Sequence, residues 1–389
     1  MPSAQPRPSR IAINAQKVST SQSYHAAGSS RYVFNLLREL RNQTPPEEIV
    51  AYLNDAHVPG ELAERERFLV RQTKWPTHIP SVRIVWEQIV LPHQLKRDGV
   101  TLFHGAINAL PIAWTGPSVA TILDLTFLLM PQAFNRRNRA YLRWMVRHTA
   151  RRADRIITIS DATRRDVVHL LGVDPERVTR VHCGVDERFK PMRGTAVLDA
   201  FRRKQGLPDR FILYLGTIEP RKNLIRLIDA YLSLRRDGHT DMPLILAGGS
   251  GWRNDDISKR IADAGPQSGV FQVGYVPEED LALWYNAADL FTYVSEYEGF
   301  GLPPLEALAC GTPVVASNCS SIPEVVGNAA VLVDPTDVGS IADGMRHVLH
   351  DRALHAHLSA AGPERASNFT WKRMADETLA IYRNVKRAT

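Results

Sequence analysis

"LFTYVSEYEGFGLPPLEALACGTPVVAS", residues 290–317, is the stretch from which the fold is read. LFTYVS has the composition of a buried strand, EYEGFGLPP that of a loop, and LEALAC that of a short helix stopped by Gly311, after which TPVVAS returns to a strand. Pro303 or Pro304 suits the first helical turn, where the missing amide hydrogen costs nothing. A strand, loop and helix in this order place Gly299 and Gly301 where bare amides gather at a helix start, beside two acids, Glu298 and Glu306.

The same alternation extends in both directions. RFILYLGT, PLILAGG, VFQVGYV and AVLVD read as further strands of the second half. IAINAQKV, GVTLFHG, PSVATILD, DRIITIS and RVTRVHCG do so in the first, with helical patterns such as RYVFNLLREL and DATRRDVVHLL between them. Alternation on this scale predicts an α/β protein with parallel sheets covered on both faces by helices. A chain of 389 residues is long for one core. The Pro-Met-Arg-Gly stretch in FKPMRGTAV (189–197) divides it into domains 1–192 and 193–370, leaving the amphipathic segment 371–389 to pack on either, or to cross back to the first. Two such domains facing each other are expected to leave a ligand cleft at their strand ends.

Composition excludes several classes. Hydrophobic content of 44% with 23% charged residues fits neither disorder nor a membrane-embedded fold. Three cysteines without a C-x-x-C pair argue against a disulfide framework or a zinc site and favour a reduced, cytoplasmic setting. Residues 1–9 read as a flexible Pro/Ser-rich tail without the apolar core of a signal peptide. No Asp-x-Asp triplet is present, so no divalent metal is expected to hold a phosphate. Residues 1–192 carry 27 Lys and Arg against 17 Asp and Glu, whereas the remainder carries 21 against 24, so the positive charge belongs to the first half.

Negative side chains suit hydroxyl groups, and amides at a helix start suit phosphate oxygens. Together they describe a ligand carrying both, such as a nucleotide sugar. The bland alternative is that Glu298 caps the helix while Glu306 is solvated. YLGTIEPRKNL (214–224) adds Arg221 and Lys222 after a strand and the Gly216 turn, a diphosphate clamp or a solvated pair. LAGGSGW (246–252) supplies a third glycine turn after a strand.

G-T-x-x-x-R-K-N (216–223), GYVPEEDLALWYNAADLFTYVS (274–295) and E-G-F-G-L-P-P-L-E-A (298–307) together resemble the retaining glycosyltransferases of family 4. That family has the GT-B fold, two Rossmann-like, doubly wound parallel-sheet domains. The resemblance covers essentially the whole chain and implies a role for individual residues. Arg221 and Lys222 would hold the donor diphosphate and Glu306 the ribose. Glu298 and the segment Gly299, Phe300, Gly301 and Leu302 would hold the transferred sugar, and backbone near Val276 the base. AAGSSRY (26–32) resembles the family's glycine loop with Gly28 retained. In TILDL (121–125), Leu123 stands where the family usually has histidine and Asp124 remains as a catalytic candidate. His104, near an earlier strand end, is a further candidate or a structural histidine. Similarity to mannosyl-type enzymes of bacterial surface polysaccharide assembly makes GDP-mannose the first donor to expect, with a saccharide or lipid-linked saccharide acceptor. A GT-B scaffold that binds the donor without transferring, because of Leu123, is the alternative.

NRRNRAYLRWMVRHTARRADR (135–155) repeats arginine every four residues, at Arg139, Arg143, Arg147, Arg151 and Arg155, opposite an apolar face. It reads either as a solvated basic helix or as a surface for anionic lipid at the inner face of a membrane. No helix-turn-helix, RNA-binding or zinc signature accompanies the charge, which argues against nucleic acid.

Overall fold

The computed structural model describes residues 9–18, 28–54, 58–192, 194–251 and 254–388. The expected tail lies outside these apart from Ser9, as do Ala26 and Ala27 of the glycine loop and Trp252.

The first half builds a seven-stranded sheet from β1 (Arg10–Asn14), β2 (Glu48–Leu53), β3 (Phe68–Gln72), β4 (Leu102–Gly105), β5 (Ser118–Ile122), β6 (Arg155–Thr158) and β7 (Val178–Arg180). The second builds a six-stranded sheet from β8 (Ile212–Leu215), β9 (Leu244–Ala247), β10 (Val270–Gly274), β11 (Leu290–Tyr293), β12 (Val314–Ser317) and β13 (Val331–Val333). Their orders are β3-β2-β1-β4-β5-β6-β7 and β10-β9-β8-β11-β12-β13. Every pairing is parallel. Both sheets are doubly wound, as the strand-helix alternation predicts.

Central strands are apolar on both faces because helices cover both. Ile11, Ala12 and Ile13 of β1, Ile212 to Tyr214 of β8 and Leu290 and Phe291 of β11 are fully buried. Strands β2 and β3 were not foreseen: EIVAYL follows a Pro-Pro-Glu-Glu run without a glycine turn, and FLVRQ is a partly charged edge strand.

The chain divides into two units, 1–184 with 371–389, and 185–370. The boundary precedes the Pro-Met-Arg-Gly stretch because residues 185–192 pack with the second unit. Val185 N–H donates to the Phe369 carbonyl at 3.1 Å, and Met192 N–H donates to Asn286 Oδ1 at 2.6 Å. The helix Trp371–Ala388 groups with the first unit. Arg383 pairs there with Glu47 at 3.0 Å, and Tyr382 is buried against His104.

In a parallel doubly wound sheet, ligands gather at the carboxyl ends of the strands where the winding reverses. These switch points lie between β1 and β4 in the first sheet and between β8 and β11 in the second.

Candidate functional site

The switch point of the second sheet carries the residues singled out above. After β8 the chain makes a 3-10 turn, Pro220–Lys222, and enters the helix Leu224–Arg236 through Asn223. Asn223 has φ of +60°, a conformation asparagine tolerates better than most residues. Its side-chain amide donates to the carbonyls of Val294 at 3.0 Å and Pro335 at 2.7 Å, which anchors the turn against the end of β11. Beyond β11 the loop leads to the helix Leu302–Ala309, whose N-cap, Gly301, has φ of +118°. A Cβ there would lie 2.8 Å from Ile322 Cδ1, so glycine is required on two counts. Gly248, after β9, is required by close approach: a Cβ would sit on the Gly216 carbonyl oxygen, at 1.9 Å.

Arg221, Lys222 and Glu298 form one buried ion cluster. Glu298 Oε1 is 2.6 Å from Lys222 Nζ, and Oε2 is 2.8 Å from Arg221 Nη1. Arg221 also reaches Glu219 at 2.7 Å and donates to the Tyr297 carbonyl at 2.6 Å. Below them Tyr293 accepts from Lys222 at 2.5 Å and donates to Glu298 at 3.0 Å, its ring stacked on Tyr214 with centroids 6.0 Å apart. Burial alone pushes the Glu298 carboxyl up, but Arg221 and Lys222 outweigh it by charge and hydrogen bond and hold it down at about 2. Burial, and then the Arg221 charge, pull the Lys222 ammonium below its usual range. Glu298 does not cap the helix. It is the counterion of both cations.

The loop is held from outside by the serines after β12. Ser320 Oγ accepts from Glu298 N–H at 3.0 Å, while Ser321 Oγ donates to the carbonyls of Glu298 and Phe300 at 2.9 and 2.6 Å. Glu306 is buried rather than solvated, with Tyr285 O–H donating to its Oε2 at 2.9 Å. The Phe300 ring packs edge-on against Phe369, with centroids 5.9 Å apart. Leu302 is half-buried, and Val276 is buried just beyond β10. Gly216, Gly248, Val276 and the Glu298 loop thus follow four adjacent parallel strands at one edge of one sheet. Sequence reading missed Glu219, Tyr293, Ser320 and Ser321. Tyr293 carried a signal, a tyrosine at the end of a fully buried strand one loop from two acids.

The remaining candidates lie in the first unit. Gly28 opens the helix Gly28–Gln43, where a Cβ would meet nothing within 4 Å. Asp124 Oδ1 accepts from Thr126 N–H at 2.9 Å, and the Leu123 N–H donates to Asn108 Oδ1 at 2.9 Å. His104 is fully buried, its Nδ1 2.6 Å from the Tyr382 hydroxyl and its Nε2 2.8 Å from Thr121 Oγ1, which lies 3.0 Å from the Tyr32 hydroxyl. Both ring nitrogens are used, and burial lowers its pKa to about 3. His104 is a core residue that ties the terminal helix to β4 and β5, and we withdraw it as a ligand contact.

The arginine stripe needs one correction. Arg139, Arg143, Arg147 and Arg151 lie on the helix Arg136–Arg152, but Arg155 begins β6. The helix stops at Ala153, and the Asp154 carboxylate accepts from Ser118 N–H at 2.7 Å, which turns the chain into the sheet. Met145, Val146, Thr149 and Ala150 form the buried face. None of the four helical arginines makes an ion pair among the described residues. Trp144, 53% exposed, stacks on His148 beside them. Among the described residues no helix is long and apolar enough to cross a membrane, and no group of three His, Cys, Asp or Glu is placed to hold a metal ion.

Comparison with known proteins bears on this geometry. Residues 199–365 match the family described as "Glycosyl transferases group 1", and residues 26–189 match "Glycosyltransferase Family 4". The chain is 33% identical over 294 residues to O-antigen chain mannosyltransferase B of Escherichia coli, across 75% of this chain and 72% of that one. Its fold is similar to that of sucrose-phosphate synthase from Thermosynechococcus elongatus, with a TM-score of 0.76 at 22% identity over 98% of this chain and 100% of that one. It is similar also to HepE of Anabaena in complex with UDP-glucose, with a TM-score of 0.73 at 18% identity over 96% of this chain and 99% of that one.

Proposed function

Because the chain belongs to the glycosyltransferases, we propose that it moves a hexose, with retention, from a nucleoside diphosphate sugar to a saccharide or lipid-linked saccharide. The observation that carries this reading is the cluster in which Arg221 and Lys222 share Glu298 beside the Gly301 helix start. The donor diphosphate takes the two cations, and Glu298 turns to the sugar hydroxyls. Glu306 reads the ribose, and backbone near Val276 holds the base.

The anomeric C–O bond to the diphosphate breaks while the acceptor oxygen bonds to the same carbon on the same face. The departing diphosphate takes up the acceptor's proton. Negative charge grows on the diphosphate, where Arg221, Lys222 and the amides at the helix start meet it. Loss of one such preorganised donor costs about 3–4 kcal/mol of barrier. With the leaving group as base, Leu123 in place of histidine does not abolish transfer, and no metal is required. The mannosyltransferase relative makes GDP-mannose the first donor and surface polysaccharide assembly, at the cytoplasmic face of a membrane, the first setting. The unpaired arginines on Arg136–Arg152 suit an anionic lipid surface.

A panel of nucleotide sugars, assayed for donor hydrolysis and for transfer to oligosaccharides without added metal and with chelator present, tests the reading. Transfer from at least one donor is expected, and failure of every donor to bind overturns it. Leu123→His is expected to change turnover less than about threefold. A gain of a hundredfold or more would favour the impaired-scaffold alternative.

A further inference from the structure

Strands β3, β7, β10 and β13 form the edges of the two sheets, and all but β10 are guarded. On β3 the Val70 N–H donates to Glu64 Oε1 at 3.0 Å, Phe68 bridges back to Arg65, and Arg71 pairs with Asp98. The strands β7 and β13 are short, Val178–Arg180 and Val331–Val333. Charges and short strands at an edge discourage further pairing. Neither protects β10: VFQVG is five residues long and uncharged. Phe271, Val273 and, just beyond the strand, Tyr275 are 50%, 44% and 43% exposed.

The open side of β10 has a defined hydrogen-bonding phase. Leu244 N–H donates to the Gly269 carbonyl at 2.9 Å, so in this parallel pairing the backbone groups of Gly269 and Phe271 face β9 and those of Val270 and Gln272 face away. Ser268 Oγ accepts from the Val270 N–H at 3.2 Å. Gln272, itself exposed, is left to present both its N–H and its C=O along the open edge. The register with β9 shifts between Gln272 and Gly274, a bulge that keeps this edge short.

The two ends of β10 carry opposite charge. At its start the Arg235 guanidinium lies against Gly269 and donates to the Tyr231 hydroxyl at 3.3 Å, without an ion pair among the described residues. At its finish, burial and then the Glu278 and Glu279 charges raise the Tyr275 hydroxyl, so both acids lie close to it. Glu279 is exposed and has no ion pair among the described residues.

We infer that β10 is the interface of a homodimer, in which two copies of the chain join edge to edge, antiparallel, about a two-fold axis at Gln272. The Gln272 N–H of each copy donates to the Gln272 carbonyl of the other, and Phe271 comes opposite Val273 of the second copy. The Arg235 end of each strand then meets the Glu279 end of its mate, whereas a parallel pairing would set like charge against like. A strand of an unrelated protein would need this charge order in its own sequence; a second copy carries it already. The contact is isologous, so each edge is used up by its mate and assembly stops at two chains. None of this rests on the glycosyl-transfer reading.

Sedimentation velocity on the full chain over a range of concentrations tests the interface. Half of the chains are expected as dimer at about 10 µM, a weak association that suits a short edge. Val273→Lys, at an exposed position, should raise the dissociation constant about tenfold or more with the melting temperature retained. Arg235→Glu and Glu279→Arg should each weaken the dimer, and the two together should restore it, a rescue that follows only if these residues meet across the axis. Should Val273→Lys fail to fold, the charge exchange carries the comparison. A monomer at every concentration, a dimer indifferent to folded Val273→Lys, or a double exchange no better than the single changes overturns the inference.

Discussion

Glu298 bridges Lys222 and Arg221 with separate carboxylate oxygens, at 2.6 and 2.8 Å, in a pocket that buries all three side chains by four-fifths or more. Removing one member of such a cluster leaves charge without compensation. Glu298→Ala is expected to cost about 3–5 kcal/mol in urea unfolding. Lys222→Ala together with Glu298→Ala should cost less than the two single changes summed, because each single change strands the other's charge. Strict additivity would show that the pair seen here is not coupled in solution.

Gly301→Ala should destabilise the second unit by about 1–3 kcal/mol, since it combines a strained backbone with a contact against Ile322. Donor binding should weaken with it, because the amides of the helix start are displaced. Gly28→Ala, where a Cβ meets open space, should leave stability within about 0.5 kcal/mol. Thermal melts of the two variants make the comparison, and equal losses would contradict the steric account.

Acid should act through two groups in sequence. An unfolded histidine takes up a proton below about 6.5, whereas burial keeps His104 neutral down to about 3. Stability is therefore lost as pH falls through that window, by about 2 kcal/mol between pH 6.5 and 5. Glu298, ionised down to about 2 when folded, adds its loss from about 4.5 downward. Unfolding measured at pH 7 and at pH 5 should show a larger drop for the wild type than for His104→Gln. Equal drops would place the sensitivity elsewhere.

Sedimentation with vesicles tests the arginine face. Arg143→Glu with Arg151→Glu should reduce retention on anionic vesicles at least tenfold, at about 1 kcal/mol per basic residue near the surface. Neutral vesicles should not distinguish variant from wild type. Unchanged retention on anionic lipid would leave the helix a solvated basic face.

All six strands of the second sheet were legible because buried parallel strands are largely apolar and turn residues mark their ends, whereas β2 and β3 of the first sheet, without such marks, were not. The cation pair and the two acids were legible as well, since all four flank such turns. What a one-dimensional pattern does not carry is which groups neutralise each other: Glu298 reads as a hydroxyl ligand in sequence and stands as a counterion in space. His104 misled for the opposite reason. Its partner Tyr382 lies 278 residues away, and no local signal announces that a terminal helix satisfies it. The regular spacing of five arginines likewise hid a helix end at Ala153, set by the Asp154 side chain reaching the neighbouring strand.

That distant partner also fixes an order of events. The half of the chain translated first keeps a gap in its interior until Trp371–Ala388 arrives, while the half translated second is a single uninterrupted span. On the ribosome, residues 185–370 have everything they need before the earlier segment does. A nascent amino-terminal sheet must wait, with the His104 ring unsealed, for the helix Trp371–Ala388 to leave the exit tunnel.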